Sequence, residues 1–116
     1  MRLDVLGILI FVSAAAQAQT WADRAGDAAL TGAALRDALL GRTHVFFDGG
    51  QARFSDGGAY SYTYGSGGTA FGTFEIFDDG RVCTVFRHGF ERCDRYVVNA
   101  GRLVLLTEDG LRFPIR

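Results

Sequence analysis

Cys83 and Cys93 are the only cysteines of the chain. Such a pair could act as a redox couple, ligate a metal or form a structural disulfide. A redox or metal site would call for a C-x-x-C spacing or a neighbouring His/Cys cluster. Neither is present, and His88 stands alone nearby. The disulfide is therefore the favoured chemistry. The other nucleophile and base candidates are sparse. His44 and His88 are the only histidines, and no serine lies in a G-x-S-x-G setting. Asp48, Asp56, Asp78, Asp79 and Asp109 fall in glycine-bearing turns. Glu75 and Glu91 could form a glycosidase pair in principle, but they read as outward-facing and without a cleft. The residues argue against an enzyme and call for no cofactor or metal.

Binding chemistry has more candidates. Tyr60, Tyr62 and Tyr64 alternate and so share one strand face. They could line a ligand cavity or simply pack across strands. Arg81, Arg87, His88, Arg92 and Arg95 make one hairpin locally basic, which could steer an anionic partner or be ordinary solvated charge. Asp48-Gly-Gly and Asp56-Gly-Gly recur eight residues apart, the composition of turns rather than of a Ca²⁺ loop.

Turn chemistry sets the register of the elements that carry these residues. Asp78-Asp79-Gly80 and Arg87-His88-Gly89 are three-residue loops ending in glycine, the pattern of a type I turn closed by a left-handed residue. Counting outward, Cys83 opposes Cys93 in a non-hydrogen-bonded pair, where Cα atoms lie about 4.5 Å apart. Glu75 opposes Cys83 from the other side. Phe74, Ile76, Val82, Phe86 and Phe90 then form a core face, with Arg92 and Asp94 sharing their parity. Buried charges are costly unless paired. These two could pair with each other, emerge at a rim as a polar anchor in a barrel mouth, or be redirected by a bulge. A bulge is one answer to a conflict one hairpin later. A three-residue loop at Asn99-Ala100-Gly101 would demand the parity already used by Phe90, Arg92 and Asp94. A β-bulge near Asp94–Tyr96, or a two-residue turn at Ala100-Gly101, would resolve it.

The chain of 116 residues begins with Arg2, an apolar run and Ala16-Gln17-Ala18, the layout of a signal peptide over 1–18. The run is too short to span a bilayer, so no transmembrane segment is expected after leader removal. Export to the periplasm or beyond suits a disulfide. A net charge of −1 argues against nucleic-acid binding. Ten Phe, four Tyr and 16 Gly against one Pro suit a turn-rich β protein. Residues 19–29 read as a polar lead, mobile or loosely docked, with Trp21 its one possible anchor. Residues 30–116 form a single domain. It opens with a helix over 31–40, with Thr31 as N-cap, Leu30 and Leu35 as a hydrophobic staple, and Gly41 at the C-terminus. Eight short strands follow at 43–47, 51–54, 59–64, 69–77, 81–86, 90–98, 102–107 and 111–115, joined by seven glycine-bearing connectors. The expected fold is all-β with one N-terminal helix. It is an antiparallel up-and-down meander closing into a small barrel, or a twisted open sheet over the helix.

LTGAALRDALLGRT, GTFEIFDDGRVC and the later cysteine of FERCDRY resemble small exported proteobacterial proteins of unassigned function. Members carry a signal peptide, an L-[ST]-G helix, a G-T-[WF] strand and a D-G-x-[LV]-C strand before a second cysteine. The likeness spans most of Leu30–Tyr96. It implies a periplasmic or secreted β-rich domain and supplies no activity. A looser likeness, of architecture and cysteine use only, is to calycin-like periplasmic inhibitors. The sequence thus favours an exported, non-enzymatic domain that binds a protein or small molecule, most concretely an inhibitor of a protein partner. The alternatives are a carrier of a small apolar or aromatic ligand in a barrel lumen, and an envelope structural or stress protein. The contacts to watch are Tyr60, Tyr62, Tyr64, Arg87, His88 and Arg92, with Gly65–Gly68 as a second exposed loop.

Overall fold

The computed structural model describes residues 20–116, so the leader reading of 1–18 lies outside the described residues. After β1 (Ala28–Ala29) and helix α1 (Gly32–Leu39) come β2 (Arg42–Val45), β3 (Gln51–Phe54), β4 (Ala59–Thr63) and β5 (Thr69–Ile76). β6 (Val82–Phe86), β7 (Glu91–Asn99), β8 (Arg102–Thr107) and β9 (Arg112–Pro114) complete the sheet. From β2 to β9 each strand pairs with the next in sequence order, all antiparallel. The sheet curls until its two ends meet. Phe46 and Ile115 form a single bridge, and the Arg116 N–H donates to the Val45 carbonyl at 2.8 Å. The expected meander is therefore present as a curled half-barrel, fastened where its first and last strands touch.

Connectors alternate between the two ends of such a meander. The loops after β3, β5 and β7 lie at the end occupied by α1. There Gly80 approaches Thr31 and Leu30, and Gly41 approaches Asp56. Leu35 and Leu39 are fully buried, so one helix stripe plugs this end. His44 on β2 donates from Nε2 to the Ala38 carbonyl at 2.8 Å, and Arg42 Nε donates to the Asp37 carbonyl at 2.8 Å. Both bonds satisfy carbonyls of the last helical turn, which have no partner within the helix. Burial pushes the His44 pKa below its ordinary value, keeping the ring neutral. Thr31 is the N-cap residue, in extended conformation ahead of Gly32, but its side chain makes no capping hydrogen bond.

The register matches the turn counting. Cys83 faces Cys93, Glu75 faces Cys83, and the disulfide closes with its Cα atoms 4.0 Å apart. A cross-link over so short a loop stabilises by about 3 kcal/mol in the chain-entropy view. The parity conflict is resolved by the turn, and the expected bulge is corrected. Pairing along β7 is unbroken from Asp94 to Asn99, and Asn99 pairs with Arg102. Ala100 and Gly101 have φ of 51° and 79°, the two positive values of a type I′ turn.

The curl creates two apolar layers. Inside, Phe54, Tyr60, Val82, Phe86, Tyr96 and Leu105 pack with the helix leucines. Phe54 sits at the centre, in edge-on contact with Tyr60, Phe74 and Tyr96. Outside, Val97, Val104 and Leu106 pack against Trp21. The lead is thus docked rather than mobile. β6 covers only the first half of β7, and β1 pairs with the vacated edge at Val97 and Val98. Thr20 N–H donates to the Glu108 carbonyl at 2.9 Å, and Arg95 lies over the Trp21 ring. Asp27 accepts both Arg112 Nη atoms at 2.7 and 3.0 Å, and Asn99 Nδ2 at 2.8 Å.

Candidate functional site

The connectors after β2, β4, β6 and β8 gather at the end opposite the helix. There the interior opens into a cavity of about 330 Å³ lined by Phe46, Asp48, Tyr62, Tyr64, Phe86, His88, Phe90, Arg92, Leu105 and Phe113. We call it the mouth. Six of these residues carry Phe or Tyr rings, and their positions follow from strand geometry. β4 runs outward from the core, so Tyr60 is buried, Tyr62 half-buried and Tyr64 52% exposed. The rings of Tyr62 and Tyr64 meet edge-on at 5.1 Å. Tyr62 reaches across to the loop after β2, where its hydroxyl fills the space that a side chain at Gly50 would occupy. Asp48 Oδ1 accepts the Gly50 N–H at 2.8 Å and fixes that loop. A Cβ on Gly65 would strike the Asp48 carbonyl, so the two loops rest backbone to backbone.

The opposite wall is the β6–β7 hairpin. His88 stacks on Phe86 at 5.6 Å, and its Nδ1 accepts the Phe90 N–H at 3.2 Å. The neutral ring therefore carries its proton on Nε2. Phe90, expected in the core, is 56% exposed. It follows the turn directly, at the open end, where no opposing wall covers it. It packs instead on Phe86 and stands at the rim.

Arg92 is the cation of the mouth. Its strand position faces inward, as parity requires, and Asp94 lies one pleat deeper. Arg92 Nε donates to Asp94 Oδ2 at 3.0 Å, and Nη2 lies in an ion pair with the same oxygen at 2.9 Å. The arginine side chain remains 38% exposed while that of Asp94 is 8% exposed. Asp94 Oδ1 is buried without a hydrogen-bond partner. Burial pushes the Asp94 pKa up, and Arg92 offsets part of that shift. Burial likewise raises the phenol pKa values of Tyr96 and Tyr60 beneath the pair, so both stay neutral donors.

Of the residues singled out from sequence, Tyr62, Tyr64, His88 and Arg92 come together here. Tyr60 lies below them in the core. Arg87 points away, with its guanidinium 5.1 Å from the Phe71 ring centroid. The Cys83–Cys93 bond sits half-buried in the hairpin that carries one wall. Sequence reasoning missed Phe46, Asp48, Phe113 and Leu105. One signal could have found the first three: alternate connectors of a meander share an end, so residues flanking every second loop belong together. Among the described residues no three His, Cys, Asp or Glu side chains gather as a metal site would need. No helix among them is long and apolar enough to cross a membrane. No protein-family model, curated protein or solved structure matches the chain.

Proposed function

We propose that the chain is an exported, non-enzymatic binding domain whose mouth takes up a small ligand with an apolar or aromatic body. The observation that carries this reading is the contrast within one interior. The helix end is filled by Phe54, Tyr96 and the helix leucines, whereas the other end keeps an open, ring-lined cavity with one cation. Cavities of roughly 300–1,000 Å³ lined mainly by apolar groups with a few placed polar ones are the usual form of small-molecule sites. The disulfide and the A-x-A leader support a periplasmic or secreted setting. The resemblance to small exported proteobacterial proteins points the same way.

A second reading has its own support. Phe90, Tyr64 and Phe113 stand exposed around the cavity, and exposed aromatics framing a pocket are typical anchors for a protein partner. In that reading the mouth receives a partner's side chain, as an inhibitor of an envelope or exogenous enzyme would.

Tyrosine-fluorescence titration of the purified exported domain with a panel of small aromatic and aliphatic compounds, run beside a pull-down against envelope proteins, lysozymes and proteases, separates the two. Saturable quenching by a small molecule with no captured protein supports the carrier. A stable protein complex that survives excess small ligand supports the inhibitor. The absence of both leaves the mouth without an occupant and removes both readings.

A further inference from the structure

The chemistry of the ligand follows from how Arg92 is held. A guanidinium presents two edges to which a carboxylate can bond with both oxygens, the side edge of Nε with one Nη and the end formed by both Nη atoms. Asp94 occupies the side edge, through Nε and Nη2. Among the described residues nothing pairs with the remaining end, and the side chain is exposed enough to meet an incoming group. Asp94 bonds through one oxygen only, so it fixes the arginine without enclosing it. Phe46, Tyr62, Phe86 and Phe90 line the same cavity as Arg92. They exclude water on several sides and strengthen a charge-assisted bond.

We propose that the mouth binds a small carboxylate carrying an aromatic or branched apolar body, with both carboxylate oxygens on the Nη1–Nη2 end of Arg92. The body lies among the rings, and the cavity volume of about 330 Å³ sets its size at the small end of ligand pockets. Asp94 acts as a positioning residue, holding the guanidinium in the plane the ligand requires. Asp48 is the one carboxylate on the lining. It lies at the exposed rim with Oδ1 engaged by Gly50, and it disfavours a ligand whose charge stays at the entrance. The inference rests on the reading of the mouth as a small-ligand site and names the class of that ligand.

The test uses three probes with one body: 3-phenylpropionate, 3-phenylpropan-1-ol and 3-phenylpropylammonium, titrated calorimetrically into the exported domain. The carboxylate should bind about tenfold or more tightly than the alcohol, the worth of one charge-assisted pair. That advantage should vanish in Arg92→Gln, and Arg92→Lys should retain part of it. In the unmodified protein, ¹⁵N spectra should show the Arg92 Nε resonance shifting with carboxylate and not with alcohol, which holds even if a variant fails to fold. Equal binding of alcohol and carboxylate, or tightest binding of the ammonium, overturns the anion assignment while leaving the mouth a ligand site. Binding of none of the three overturns the small-ligand reading as well.

Discussion

Of the three arginine–aspartate pairs among the described residues, Arg81–Asp79 lies exposed in a turn, and the other two differ in how fully they are bonded. Arg112 and Asp27 meet on the outer face, with side chains 10% and 6% exposed. Both carboxylate oxygens accept an arginine Nη, Asn99 and the Arg24 N–H add two more donors, and Arg112 also donates to the Ala22 carbonyl. Every oxygen of Asp27 is bonded, and the pair straps the 20–29 lead across β7 and β9. Arg92 and Asp94 share one oxygen inside the mouth, leaving Asp94 Oδ1 without a partner and one guanidinium end open. A saturated pair has nothing left to offer a ligand. An unsaturated one costs stability where it stands and keeps bonding capacity in reserve.

Breaking the saturated pair should have the larger effect. Arg112→Met removes three bonds at once and frees the strap. The expected result is a lower Tm and a rise of at least about tenfold in hydrogen exchange at the Thr20 and Leu30 amides, with the β3–β4 amides unchanged. Arg92→Met should cost less in urea melts, because solvent already screens the arginine and the stranded Asp94 carboxyl, whose pKa burial raises, can take up a proton. Equal losses from the two substitutions would erase the distinction between them.

Acid should sharpen the contrast, since the two carboxyls are displaced in opposite directions. Bonding to Arg112, then Asn99, holds Asp27 well below the usual carboxylate range, so its stabilisation is complete above that range and is lost as pH falls through its folded value. Burial holds Asp94 above the range, so its ionised form is a burden that acidification through the folded value relieves. Carboxyl ¹³C shifts followed through a pH titration should show Asp94 protonating first and Asp27 last. Coincident midpoints would count against the assignment. The smallest expected effect is a gain. Ala100→Asn, in the I′ turn beside Asn99, should add about 0.5–1 kcal/mol by easing a left-handed residue while leaving both pairs intact.

What could be read in advance divides along the same line. The shared inward parity of Arg92 and Asp94 was legible because parity is local, and their pairing was one of three outcomes it allowed. Two glycine-closed loops fix the register of β5 to β7, and register decides which side chains face inward. The disulfide followed from the same counting. The Asp27–Arg112 pair was not legible, because 85 residues separate its members and the strap has no periodicity to announce a strand. It is defined by an edge of β7 that is free beyond Asp94 because β6 begins only at Val82. The rim failed for a related reason. Alternation places Phe86 and Phe90 on one face, but it does not tell where the curl ends and cover runs out.

The Cys83–Cys93 bond has a consequence for the mouth. The ring of chain it closes runs through Phe86, His88, Phe90 and Arg92, four of the ten lining residues. These four are tethered as a single hoop, so much of their disorder is already spent before any ligand arrives. Opening the hoop should blunt affinity ahead of any loss of the sheet. Mild reduction followed by titration with 3-phenylpropionate at a denaturant-free midpoint of thiol release would register it. Retention of ligand would then depend on the thiol poise of the surroundings, with capture in an oxidising space and release in a reducing one.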